Sequence, residues 1–318
     1  MLRKHITINQ LTIIEINYHN KVSASNCAKR MQLGKDKVYK YYNSFAVGKT
    51  VEMIYSEYKL NKSKCGKKSI ELSEGKLEKI NNKLDDDWSL DAIAGRDRLE
   101  KEEERVSTST LYKMVKKGII DFKKLRRLGK RKKNGVIETR GKINSGKTIH
   151  ERNANYPNLE EEYGHFEGDT IVGERRKSAI VTLVEKKTKN IILLKASRKS
   201  QDVKEALLDW LSKLDSNLVK TITFDRGKEF AKWEEIEQGN TNVEIYFSDP
   251  GSPGQRGLNE NSNGIVRKDL PKSTDLSVHS QETLNEISNK WNNIPRKILG
   301  YLTPSEALNK EVKINSLI

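Results

Sequence analysis

Residues 166–194, FEGDTIVGERRKSAIVTLVEKKTKNIILL, contain three short segments rich in β-branched residues. The segments are Phe166 to Val172, Ala179 to Val184 and Ile191 to Leu194, and the polar run 186–190 between the last two predicts a turn. We therefore expect three consecutive strands that form a meander.

Helices and strands alternate after this meander. Residues 200–214 carry apolar side chains at helical spacing, and residues 219–224 and 243–247 are typical of a fourth and a fifth strand. A Gly/Pro-rich loop at 249–257 comes before a helix that we expect from about Asn259. Three strands followed by alternating helices and strands predict a mixed sheet in an α/β domain.

The residues before the meander predict helices alone. A helix after Ser23, the tight turn Gln32-Leu33-Gly34 and a Lys- and Tyr-bearing helix from Lys35 are typical of a helix-turn-helix. Residues 88–96 and 106–118 repeat this arrangement. Many small helical bundles share the pattern, so a solvated helix with ordinary caps is the alternative for the second copy.

The fold class expected is therefore α + α/β: an N-terminal all-α region with helix-turn-helix motifs, then a mixed-sheet domain. The predicted boundaries are 1–48 for the first helix-turn-helix, 49–122 for a connector and the second, 123–155 for a basic linker, and 156–318 for the sheet domain.

The charge of the chain is concentrated in its first half. The 318 residues are 35% hydrophobic and 33% charged, which is compatible with a packed globular protein. Lys and Arg exceed Asp and Glu by 60 to 44; residues 1–150 hold 35 and 18 of these, and residues 151–318 hold 25 and 26. The basic half therefore predicts an acidic partner, such as nucleic acid or an anionic membrane surface.

Several classes of protein are disfavoured by what the chain lacks. No apolar run approaches the ~20 residues that span a bilayer, and the N-terminus does not resemble a secretory signal. Cys27 and Cys65 are too few for a disulfide framework and lie in no zinc-binding spacing. We expect a cytoplasmic protein without a membrane partner.

Three carboxylates are candidates for catalysis. Asp169 lies within the first strand, Asp225 ends the fourth strand, and Glu260 begins the last helix. If the first and fourth strands are neighbours, the two aspartates meet. Such an oxygen-rich cluster suits Mg²⁺, and two ions about 4 Å apart would serve phosphodiester cleavage. Taken singly, Asp225 also fits a turn residue and Glu260 a helix cap.

Other charged residues surround these candidates. Glu167 and Glu229 are rival carboxylates, which we expect to support the metal ligands rather than to bind metal themselves. Arg267 lies two helical turns after Glu260 on the same face, where it could hold a phosphate.

Four blocks in this sequence resemble the signature blocks of the IS30-family transposases, a likeness that spans about residues 86–308. The blocks are GHFEGDTIVG (164–173), FDRGKEF (224–230), SPGQRGLNEN (252–261) and PRKILGYLTP (295–304), in the family's order. The sequence departs from the family pattern at Phe166, Arg226, Gly251 and Gly254, where Trp, Asn, Tyr and Trp are usual.

The resemblance implies a retroviral-integrase-like, RNase H-type catalytic domain with a DDE triad. By motif, Asp169, Asp225 and Glu260 would be the catalytic and metal-binding residues, with 34 residues between the last two. The expected cofactor is two Mg²⁺ per site, with Mn²⁺ as a substitute. The expected partners are double-stranded DNA, as terminal inverted repeats and target, and further copies of the chain.

The hypothesis is a transposase that binds element ends and performs DNA cleavage and strand transfer, in the cytoplasm and at the nucleoid when bound to DNA. The alternatives are a DNA-binding regulator with an inactive catalytic domain and a simple Mg²⁺-dependent nuclease. The residues expected to contact DNA are Lys35, Lys37, Lys40, Thr108, Ser109, Lys113, Lys116, Arg131, Lys132, Arg256 and Arg267.

Overall fold

A computed structural model describes residues 5–65, 70–125, 146–174, 178–215 and 217–315. The chain divides into two compact units, residues 1–71 and residues 72–318. Among the described residues, no helix combines the length and apolar character needed to cross a membrane.

The first unit is a bundle of four helices. They are α1 (Ile8–His19), α2 (Ala24–Met31), α3 (Lys35–Ala46) and α4 (Val51–Lys64). Ser23 caps α2 by accepting a hydrogen bond from the backbone of Asn26, and α2 ends at Gln32, whose φ of 54° is left-handed. The predicted helix, short turn and Lys-bearing helix are therefore present as α2, residues 32–34 and α3.

Three helices begin the second unit. They are α5 (Glu74–Asp85), α6 (Leu90–Leu99) and α7 (Thr108–Lys116). Ser89 caps α6 and Ser107 caps α7, each through a side-chain oxygen that accepts a backbone N–H. Gly118 follows α7 with a φ of +75°, which a glycine adopts without strain. The caps predicted from the sequence are thus those that the structure uses.

A six-stranded mixed sheet forms the centre of the second unit. Its strands are β1 (Lys147–Thr148), β2 (His165–Val172), β3 (Ala179–Glu185), β4 (Ile191–Ala196), β5 (Thr221–Phe224) and β6 (Glu244–Phe247), and their order across the sheet is β1-β6-β5-β2-β3-β4. β2, β3 and β4 are antiparallel neighbours, whereas β5, β6 and β1 are added in parallel. The predicted meander and the predicted mixed sheet are confirmed.

Helices cover both faces of this sheet. On one face, α9 (Ser200–Ser212) and α10 (Trp233–Gly239) pack through side chains such as Leu207 against Phe224. On the other face, α11 (Gly257–Val266) and α12 (Gln281–Asn292) bury Val266 and Trp291 against the meander. The last described helix is α13 (Pro304–Asn315). Burial on both faces explains why β3 is buried along its whole length.

The structure differs from the sequence prediction at the end of the expected linker, 123–155. Residues 147–155 form β1 and the helix α8 (Ile149–Asn155), and Arg152 of α8 reaches across the sheet to donate to Thr223 Oγ1 at 2.6 Å. A two-residue edge strand and a polar helix of seven residues are too short to produce a clear periodicity. Residues 126–145 of the predicted linker lie outside the described residues.

The helices α5 to α7 are fastened to the sheet domain by specific contacts. Arg96 of α6 donates two hydrogen bonds, each 2.7 Å long, to the carboxylate of Glu306 in α13. The ring of Tyr301 lies against Gly95, where an added Cβ would be 2.1 Å from the ring. Asp87 forms ion pairs with Lys268 and Lys290.

Candidate active site

The register of two parallel strands brings Asp169 and Asp225 to the same level. β2 and β5 pair with Glu167 opposite Thr223. Asp169 lies two residues after Glu167 within β2, and Asp225 lies two residues after Thr223, directly beyond the end of β5. Because side chains alternate along a strand, both carboxylates leave the sheet on the face that carries Glu167. This juxtaposition is the one expected from the sequence.

Backbone and amide donors hold the two carboxylates in place. Asp169 Oδ1 accepts the backbone N–H of Thr170 at 2.9 Å, and its Oδ2 accepts the side-chain amide of Asn263 at 3.0 Å. Asp225 Oδ1 accepts the backbone N–H of Gly227 at 3.0 Å. Each aspartate side chain keeps an exposed fraction of 24%, so the pair is accessible from one side.

Arg256 places its guanidinium between the aspartates. Its Nη2 lies 3.4 Å from Asp225 Oδ2, its Nη1 lies 3.8 Å from Asp169 Oδ1, and Nη1 also donates to the carbonyl of Gly168 at 3.4 Å. The side chain is 12% exposed, and its buried Nε makes no hydrogen bond to any described residue. Among the described residues, Arg256 is the cation that lies within 4 Å of both carboxylates.

The environment of Asp169 favours its protonated form. Burial raises the pKa of Asp169 from 3.8 to about 6, and the charges of Asp225 and Glu229 act in the same direction. The Arg256 guanidinium and the backbone N–H of Thr170 lower this pKa, but they offset the increase only in part. Burial and the neighbouring carboxylates therefore outweigh the described donors and cations in setting the pKa of Asp169.

Glu229 is a third carboxylate next to the pair. It follows β5 in a short 3-10 turn and accepts the hydroxyl of Thr170 at 3.1 Å. A Cβ added to Gly227 would lie 2.8 Å from both Asp225 Oδ1 and the Glu229 carboxylate. A glycine at 227 thus lets these two carboxylates approach the same backbone position.

Glu260 makes no hydrogen bond or ion pair with the described aspartates in this structure. Its side chain is exposed and makes no hydrogen bond or ion pair to the described residues. It nevertheless lies on α11 between Arg256, one turn before it, and Asn263, one turn after it, and both of these contact the aspartates. No group of three His, Cys, Asp or Glu side chains in the described ranges is arranged to hold a metal ion.

Glu167 supports the helix that carries Glu260. It is buried, its Oε2 accepts the backbone N–H of Asn259 at 3.0 Å, and its Oε1 lies 3.3 Å from Lys186 Nζ. The side chain of Asn259 in turn donates to the carbonyl of Glu167 at 2.8 Å. This reciprocal contact fixes the first turn of α11 over β2.

The residues expected to contact DNA lie in different settings. Arg267 is half-buried and donates to the backbone carbonyls of Val172 and Leu270, at 2.9 and 3.3 Å. Thr108 donates to Asp91. The exposed members of the set are Lys35 and Lys40 on α3 and Ser109, Lys113 and Lys116 on α7, whereas Lys37 is half-buried and Arg131 and Lys132 lie outside the described residues.

A cleft of about 1560 Å³ lies beside the aspartates rather than at them. It is lined by Leu258 of α11 and by Lys268, which follows that helix, and Lys116 of α7 and Lys297 also line it. The cleft therefore lies between α7 and α11.

The full-length sequence decides the family. The chain is 34% identical over 325 residues to the transposase for insertion sequence element IS4351 of Bacteroides fragilis, which covers 99% of each chain. It is 37% identical over 247 residues to the transposase InsI for IS30C of Escherichia coli, which covers 73% of this chain and 64% of that protein. The chain belongs to the IS30-family transposases.

The comparisons with family models and with solved structures give less information about this chain. No protein-family model matches this IS30-family chain. Among solved structures, an intasome of simian T-cell lymphotropic virus is 17% identical with a TM-score of 0.33, over 41% of this chain and 48% of that one. A likeness this low supports no conclusion about the site.

The sequence pointed to the three carboxylates of this IS30-family member but missed Asn263. Its amide donates to Asp169, while its Oδ1 is buried and makes no hydrogen bond to the described residues. The signal was present, because Asn263 follows Glu260 by three residues and must share its helix face. Arg256 was expected to contact DNA, and the structure places it on the aspartates.

Proposed function

We propose that this IS30-family chain catalyses DNA transposition: it cleaves DNA at the ends of an insertion element and joins those ends to target DNA. The observation that carries the proposal is the pair of aspartates, Asp169 and Asp225, level with each other on neighbouring parallel strands. The pair occurs in a chain whose similarity to a transposase extends over its whole length.

We assign the site to Mg²⁺, with Mn²⁺ as a substitute, and Asp169, Asp225 and Glu260 as ligands. The donors fit a hard cation, because two carboxylates converge and the orphan Oδ1 of Asn263 adds a third oxygen nearby. Glu260 would complete the set by turning its exposed side chain toward the aspartates from its place on α11. When bound, two such ions would offset the carboxylate charge and stabilise the charge that develops on the phosphoryl group.

The proposed reaction has two steps. In the first, water attacks the phosphorus at an element end, and the bond to the 3′ oxygen breaks to leave a free 3′-hydroxyl. In the second, that hydroxyl attacks a target phosphorus, its proton is released, and the target's own 3′ oxygen leaves, so the number of phosphodiester bonds is conserved. The chain would position the reacting groups: the contact between Glu167 and Asn259 holds the first turn of α11, the helix that carries Glu260, over β2.

We assign DNA-end recognition to residues 1–48 and 49–122 and the chemistry to residues 156–318. α3 exposes Lys35 and Lys40, which suits an approach to phosphates in a groove. Replacing Lys40 with Gln is expected to weaken binding of a terminal repeat and to lower the slope of log affinity against log salt by about 0.9. Lys213→Gln, which changes an exposed lysine that follows α9, should leave the slope unchanged.

The decisive experiment uses a labelled element end, a plasmid target and Mg²⁺ with the purified chain. Wild type and Asp209→Asn, which alters an exposed carboxylate of α9, should yield joined products, whereas Asp225→Asn should yield none. Cleavage without joining would identify a nuclease. Binding without cleavage would identify a DNA-binding regulator and refute the enzyme proposal.

We propose further that two or more copies act together, since joining requires both ends of an element at one target. Light scattering on the chain, with and without a terminal-repeat duplex, measures the molar mass and hence the number of copies in the complex. A mass that corresponds to a single copy per duplex at every concentration would contradict it.

A further inference from the structure

We infer that Arg256 is an internal counter-ion of the metal site, which the first divalent ion must displace, and which is then released to bind a DNA phosphate. The inference rests on the proposed function, because the ion is the one assigned to Asp169 and Asp225. It adds a regulatory role for a residue that the sequence linked only to DNA.

The position of the guanidinium supports this role. It lies 3.4 Å from Asp225 Oδ2 and 3.8 Å from Asp169 Oδ1, between the two carboxylates that would bind the ion. A guanidinium stays charged at all physiological pH values, so it cannot yield its place by losing a proton. A dication and Arg256 therefore compete for the same carboxylates, since two cations at such short range repel each other strongly.

The contacts of Arg256 are weak enough to be broken. Charge-assisted hydrogen bonds of this kind are usually about 2.7–2.9 Å long, and all three contacts of Arg256 are longer. Its Nε is buried without a hydrogen-bond partner among the described residues, which adds a cost to the present position. By contrast, Arg96 donates two hydrogen bonds of 2.7 Å to the carboxylate of Glu306.

The backbone around Arg256 leaves room for movement. Arg256 precedes α11 and ends a short 3-10 turn that begins at Pro253. Gly254 and Gly257, on either side, have no described atom within 4 Å of an added Cβ. No described side chain therefore packs against these two glycines, although Gln255 between them exchanges two hydrogen bonds of 2.8 Å with Asp249, so the movement required is that of the Arg256 side chain.

The arrangement would couple metal binding to DNA binding. While Arg256 balances the aspartates, the free protein has a reduced affinity for divalent ions. A DNA phosphate offers the guanidinium an alternative anion, and by linkage each event makes the other more favourable. An unbound transposase would thus hold its catalytic ions weakly.

The test measures Mn²⁺ binding to the full-length chain without DNA by isothermal titration calorimetry. Arg256→Gln should bind the first ion about tenfold more tightly than wild type or better, because it removes one charge from the site. Arg256→Lys, which keeps a charge, should stay within about threefold of wild type, as should Arg198→Gln, an exposed arginine between β4 and α9. Thermal melts establish that each variant is folded.

The outcomes separate this inference from the proposed function. If Asp225→Asn abolishes Mn²⁺ binding but Arg256→Gln binds no more tightly than wild type, the counter-ion role is refuted and the metal site stands. If Asp225→Asn binds Mn²⁺ as wild type does, the metal site itself is refuted. If Arg256→Lys binds as tightly as Arg256→Gln, charge is not the cause and the inference fails.

Discussion

Replacing Asp169 with Asn should make the metal-free protein more stable at neutral pH, although it removes a proposed catalytic carboxylate. In the folded chain Asp169 is held in a largely buried site beside Asp225 and Glu229, where its negative charge is unfavourable. Asn has nearly the same shape but carries no charge. The variant therefore removes an electrostatic cost and keeps the packing.

The size of the gain follows from the pKa. Asp169 has a pKa of about 6 in the folded protein against 3.8 for the free side chain, and at about 1.4 kcal/mol per pH unit this corresponds to about 3 kcal/mol. This value is an upper bound, because the side chain is 24% exposed and because the amide nitrogen of Asn cannot accept one of the two hydrogen bonds that the oxygens of Asp169 accept. We expect a net gain of about 1–2 kcal/mol at pH 7.5.

The sign of the pH dependence is fixed by the same two values. The folded-state pKa of Asp169 is raised, so the stability that its protonated form provides is fully present below pH 3.8 and is lost as the pH rises through about 6. The amide of the variant cannot ionise and does not show this loss. The difference between variant and wild type should therefore be small at pH 4, grow between pH 4 and 6, and level off above pH 7.

Urea denaturation at a series of pH values, with EDTA present, measures the free energy of unfolding of both proteins. Asp209→Asn serves as the matched control, since Asp209 is 66% exposed and should change little at any pH. A variant that is less stable than wild type at pH 7.5, or that gains equally at pH 4 and pH 7.5, would refute the electrostatic argument.

Three further changes test packing and ion pairing in the second unit. Gly95→Ala should destabilise it by about 1–3 kcal/mol in urea denaturation, because the new methyl would lie 2.1 Å from the ring of Tyr301. Helix propensity alone would predict the opposite sign, since alanine favours a helix more than glycine does. Asp97→Asn should cost about 2–3 kcal/mol in the same measurement, because Asp97 is 1% exposed and its loss leaves the buried ammonium of Lys76 with the longer ion pair to Glu102, at 3.5 Å. Gly168→Ala should lower strand transfer at least about tenfold, because the methyl would lie 2.2 Å from the ring of Phe224 and would displace the strand that carries Asp169.

Two of these changes have a control elsewhere in the chain. Gly75→Ala in α5 meets no described atom within 4 Å and should stabilise the protein by up to about 1 kcal/mol, so equal effects at 75 and 95 would rule out a clash with the ring. Asp86→Asn changes an exposed carboxylate and should cost less than about 0.5 kcal/mol. A Gly168→Ala variant with wild-type activity would show that the packing behind the aspartates tolerates a methyl group.

Much of the fold could be predicted because it depends on local features. The β-branched residues of β2 to β4 and the serines that cap α2, α6 and α7 act within a few residues of the chain, so the sequence displays them directly. β1 and α8 could not be predicted in this way. They owe their structure to an edge of the sheet that is formed about a hundred residues later, by β6.

By itself, the sequence determined which side chains are the candidates for the chemistry: Asp169 on a strand, Asp225 at a strand end, Glu260 on a helix. Strand pairing then made two of them neighbours, and that pairing could be anticipated from the order of the elements. Only the tertiary structure decided that Arg256 occupies the space between the aspartates, that Asn263 supports Asp169, and that Glu260 stays exposed. The physical reason is that these contacts depend on how α11 is rotated and how the loop before it turns, and both are set by packing on the sheet rather than by local propensity.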